Sequence, residues 1–147
     1  MTLLYADTSA ILRAYFADEL DHEELRAMLL EGSDPVVTSE IARVELASAV
    51  RAAARAARLL KWRAILARID ADCAEDGPIT LLALRPLEVL PTAYRLVIDH
   101  KLRTLDSLHL AVALEECPSL ANGGAVTFIT RDEDQAAAAA ALGFAIG

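Results

Sequence analysis

Short apolar runs, each followed by a stretch with helical spacing, constrain this chain more than any other feature. Leu3–Ala6, Val36–Val37, Ile79–Leu82 and Ala125–Ile129 read as buried strands. Helical patterns fill the intervals. They cover Ser9–Ala17, a helix opened by Asp21-His22-Glu23-Glu24, a long helix capped by Thr38 or Ser39 and running to Ala57, Leu59–Glu75, Pro91–His100, Leu105–Glu116 and Glu133–Leu142. Strands that alternate with helices predict an α/β sandwich: a central parallel sheet with helices on both faces. Gly143 suits the end of the last helix, and Phe144-Ala145-Ile146 adds a final edge strand. The run Ala136–Ala141 favours helix and reads as packing. With no repeat and no linker-like stretch, residues 1–147 are expected to form a single domain.

Composition narrows the class. Apolar residues make up 55% of the chain, which excludes a disordered protein. No window approaches 18 uninterrupted apolar residues, and the start reaches Asp7 too soon for a signal peptide. Cys73 and Cys117 lack the spacing of a zinc site or a disulfide framework, so the expected location is cytoplasmic. A net charge of −8 argues against non-specific coating of nucleic acid. It leaves open an enzyme that meets phosphate through a carboxylate-bound cation.

Candidate chemistry rests on the carboxylates Asp7, Glu45, Asp106 and Asp132. Asp7 ends the first strand, at the edge of a parallel sheet where ligands bind. Asp132 follows the late strand in the same way. Each also suits the N-cap of the helix behind it. Glu45 has Ile41, Ala42, Ser48 and Ala49 three and four residues away, a mainly apolar surround for a charge. Asp106 lies among Leu102, Leu105, Leu108 and Leu110, near the start of a helix, where dipole compensation alone explains an acid. His109 shares its face but, between leucines, reads as structural rather than as a base. If the acids converge, a cation must neutralise them. Oxygen-only ligands suit Mg²⁺ or Mn²⁺, which can activate water for phosphodiester hydrolysis.

Asp7-Thr8-Ser9-Ala10, Ser39-Glu40 with Glu45, Leu102 through Ala111 and Thr130-Arg131-Asp132-Glu133 resemble, in order and spacing, the motifs of PIN-domain ribonucleases. The closest subgroup is the VapC toxins of toxin–antitoxin pairs. Arg103-Thr104-Leu105-Asp106-Ser107-Leu108-His109-Leu110-Ala111 is the most specific part. The resemblance implies a PIN-like three-layer sandwich and a metal-dependent endoribonuclease that cleaves tRNA or rRNA and inhibits translation. It implies an acidic quartet of Asp7, Glu45, Asp106 and Asp132, with Asp7 and Asp106 as the firmest ligands of Mg²⁺ or Mn²⁺. Ser9 and Thr130 would be supporting hydroxyls. A homodimer and a VapB-type antitoxin are the implied partners.

Alternatives stay open. One is a PIN-like binding module without catalysis. Another is a receiver- or phosphatase-like domain with Asp7 as nucleophile, although Ser9 stands where a dehalogenase-type start needs a second Asp. Asp99 and Asp134 are taken as surface acids. Arg51, Arg55 and Arg58 recur at helical spacing, as a solvated face or as a track for an RNA backbone.

Overall fold

The computed structural model describes residues 1–147. Five strands form one parallel sheet: β1 (Leu3–Ala6), β2 (Val36–Ser39), β3 (Ile79–Leu82), β4 (Val126–Ile129) and β5 (Ala145–Ile146), in the order β3-β2-β1-β4-β5. Seven helices flank it: α1 (Thr8–Tyr15), α2 (His22–Leu29), α3 (Ile41–Arg55), α4 (Trp62–Asp72), α5 (Pro86–Asp99), α6 (Thr104–Ala121) and α7 (Glu133–Ala141).

Strand alternation decides which core each side chain enters. From β1, Leu4 and Ala6 join Ile11, Leu25, Leu46 and Ile69 of α1 to α4. Leu3 and Tyr5 point the other way, into a core completed by Val89 and Leu96 of α5, Leu110 of α6 and Ala139 of α7. Both faces of β1 are thus covered, and the whole strand is buried. The expected sandwich is the observed one.

Several boundaries differ from the sequence reading. Ser39 ends β2 and its hydroxyl also accepts from the N–H of Ile41, the first residue of α3, at 3.4 Å, while Glu40 at the N-cap position makes no side-chain cap bond. Leu59 and Leu60 precede α4, which begins at Trp62. Helix α5 starts at Pro86, not Pro91. Both prolines follow extended-compatible sequence, and Pro86 takes the first helical position while Pro91 lies inside. Helix α6 continues through Pro118 to Ala121 before Asn122 closes it in a left-handed conformation. The turn from α4 into β3 requires glycine at position 77, where a Cβ would sit 2.1 Å from the carbonyl oxygen of Asp72.

Candidate functional site

The sheet order changes direction between β1 and β4, and the carboxyl ends of these neighbours form the topological switch point of the fold. Asp7 follows β1, and its backbone N–H donates to the carbonyl of Ile129 at the end of β4 (3.0 Å). Asp7 is only 3% exposed. Its Oδ1 caps α1 by accepting from the Ala10 N–H (3.2 Å) and also accepts from the Ser9 hydroxyl (2.7 Å). Burial raises the Asp7 carboxyl above its ordinary range, and the Ser9 hydroxyl and the nearby His109 oppose that rise.

Asp132 repeats the arrangement after β4. Its Oδ1 caps α7 through the Gln135 N–H (2.8 Å). Thr130, between strand and cap, donates to Gln135 Oε1 (2.7 Å) and accepts from the Asp132 N–H (3.1 Å). The buried Gln135 side chain in turn donates to the Asp106 carbonyl (3.2 Å), which ties α7 to α6. Ser9 accepts from the Arg131 N–H (3.1 Å), so the loops after β1 and β4 are held together by hydroxyls.

Glu45, from α3, is drawn into a different network. Its Oε1 lies 2.6 Å from His109 Nε2 and accepts from the Thr8 hydroxyl at 2.9 Å. His109 Nδ1 lies 2.8 Å from the Tyr5 hydroxyl. A proton on Nε2 satisfies the chain: Tyr5 donates to Nδ1, and Nε2–H and Thr8 donate to the carboxylate. Burial pushes the Glu45 carboxyl upward, but His109 and Thr8 outweigh it and leave the carboxyl below its ordinary range. The sequence reading rightly gave His109 a structural character. It missed that His109, Tyr5 and Thr8 are the polar partners of Glu45.

Asp106, in the first turn of α6, is the most available of the four acids: no hydrogen bond holds its side chain, and its nearest cation is Arg103 at 3.8 Å. Burial raises its carboxyl, with the charge of Asp132 adding to the rise. Asp106 and Glu45 line one cavity of about 650 Å³ with Leu102 and Leu105, while Asp106 and Asp132 line another of about 360 Å³. Asp99 and Asp134 are exposed.

The acids therefore share a neighbourhood, but no group of three or more His, Cys, Asp or Glu side chains is placed to hold a metal ion. This corrects the expectation of a Mg²⁺- or Mn²⁺-dependent ribonuclease, its cofactor included. One oxygen of each of three of these acids is already engaged, which fixes the orientation of each carboxylate. Asp7 and Asp132 serve as helix caps, and Glu45 pairs with His109 and Thr8.

The PIN domain family matches residues 4–141, and the chain belongs to that family. No curated protein matches it. Among solved structures, the crystal structure of VapC20 from Mycobacterium tuberculosis, a toxin that cleaves the sarcin-ricin loop, is similar to it. The TM-score is 0.66 at 17% identity, over 96% of this chain and 95% of that one. At that identity the likeness concerns the fold. It agrees with the parallel sandwich described above. No helix is long and apolar enough to cross a membrane.

Proposed function

We propose that this chain is a non-catalytic PIN-type binding module that takes up a segment of a VapB-type antitoxin. One observation carries the reading. An apolar groove of about 660 Å³ between α1 and α3 is lined by Leu12, Ile41, Val44, Ala49 and Leu105, and Glu45 lies along it. Val44 is 73% exposed there, an apolar side chain with no partner in the chain. The same Glu45 lines the adjoining cavity with Asp106. An apolar trough that runs into carboxylates suits a helical segment with apolar anchors and a basic side chain beyond them. In this reading Glu45 and Asp106 are the acidic floor of a binding site, and Asp7 and Asp132 hold the helices around it as caps. A buried Asp7 fixed as a helix cap is a poor nucleophile, which sets aside the phosphatase-like alternative.

A second copy of the chain is the occupant assigned to the outer face of α5. Leu87, Tyr94 and Ile98 are 88%, 71% and 68% exposed, with Leu90 and Val97 beside them. Their spacing forms a continuous apolar row on one helix, more than an isolated monomer ordinarily leaves in water. A cytoplasmic setting fits the free thiols Cys73 and Cys117.

The test is calorimetric titration with a VapB-type antitoxin segment that carries an apolar helix followed by a basic side chain, using wild type, Val44→Glu and Asp106→Asn. The proposal expects a saturable complex, weakened about tenfold or more by a charge at Val44 and less by neutralising Asp106. Absence of a complex, or one indifferent to Val44→Glu, overturns it.

A further inference from the structure

At the other end of α1 a cleft of about 480 Å³ opens between α1, α2 and α4. It is separate from the carboxylates and from the groove on α3. In a chain of net charge −8, its wall carries His22, Arg26, Lys61 and Arg68 against a single lining acid, Glu31. Its floor is apolar, from Ala14, Leu30 and Ile65.

The cations are held in a way that leaves donors to spare. Arg26 engages Glu31 through Nε alone (2.9 Å). Arg68 engages Asp72 through Nε alone (3.2 Å). Asp72 is buried and receives the Tyr15 hydroxyl as well (2.6 Å), so it is a fixed anchor for that guanidinium. Both arginines keep their terminal Nη groups without a hydrogen-bond partner. His22 has Nδ1 against the carbonyl of Arg13 (2.7 Å), which turns Nε2 outward, with only the exposed Glu23 at 3.8 Å. Lys61 makes no ion pair. A guanidinium anchored through Nε keeps its Nη donors for an oxyanion.

We infer that this cleft is a binding site for a phosphate group, with its apolar floor receiving the organic part of a small phosphomonoester. The size fits a small-molecule pocket. The anchoring acids reduce the ordering cost of the arginines, and Lys61, which makes no ion pair, adds a cation that none of them neutralises. This site is independent of the antitoxin reading and survives its failure.

The experiment is a titration of ¹⁵N-labelled protein followed by amide chemical shifts, at constant ionic strength, with inorganic phosphate, adenosine monophosphate and chloride. The variant is Arg26→Gln with Lys61→Gln; both positions are exposed, and a spectrum matching wild type elsewhere verifies its fold. Saturable shifts with phosphate on α2 and at the start of α4, weakened about tenfold or more in the variant, are expected. Tighter binding of the nucleotide supports use of the apolar floor, whereas equal binding assigns the site to phosphate itself. Shifts that chloride reproduces, that never saturate, or that persist unchanged in the variant overturn the proposal.

Discussion

Tyr5, His109 and Glu45 show how a charged residue is kept inside this fold. The histidine bridges a strand tyrosine and a helix carboxylate, and each polar atom of the bridge has a partner. Tyr5→Phe leaves His109 Nδ1 buried without one, and urea denaturation is expected to show a loss of about 1–2 kcal/mol. Asp7 behaves in the opposite way. Its carboxyl is raised above an ordinary 3.8 by burial, so folding favours the protonated form. Its ionised form therefore costs stability above the folded value, and stability from this group grows as pH falls toward 3.8. Asp7→Asn keeps a capping oxygen and removes the charge. A higher Tm than wild type at neutral pH is expected, with the difference shrinking in acid. Glu45 has the reverse sign: its depressed carboxyl stabilises above 4.5, and that contribution is lost as pH falls through its folded value. The caps at Asp7 and Asp132 are legible in sequence because they are local. The Glu45–His109 pair spans 64 residues, and no periodicity reports such a contact.

At the scale of elements, the parallel strands were the most legible because apolar runs too short for a helix leave few other choices. Helix boundaries were less so, and α5 shows the reason. Two prolines, Pro86 and Pro91, each suit a first helical position, and local rules do not rank them. Packing of Val89 against the second core settles the matter by drawing the earlier turn into the helix. The longer helix also completes the outward row from Leu87 to Ile98. Its proposed pairing with a second copy predicts that Tyr94→Glu converts a dimer to a monomer in sedimentation equilibrium, with the far-ultraviolet spectrum unchanged. A wild-type monomer at micromolar concentration contradicts that pairing.

The whole molecule is a PIN-family sandwich in which one strand, β1, feeds two cores and ends at the switch point. The alternation of elements made that architecture readable from the sequence. The spacing of four acids did not reveal what their oxygens do, because spacing fixes where a Cα lies and not which neighbour a carboxylate accepts from. Caps, a histidine and a hydroxyl engage one oxygen each of Asp7, Asp132 and Glu45, and Asp106 is the one acid of the four whose side chain accepts no hydrogen bond. The direct test of this account is calorimetric titration of Mn²⁺ into the purified chain and into Asp106→Asn, with RNA cleavage followed in the same samples. The account predicts no saturable uptake and no metal-dependent cleavage in either protein. Stoichiometric binding that supports RNA cleavage in the wild type and disappears in Asp106→Asn would contradict it.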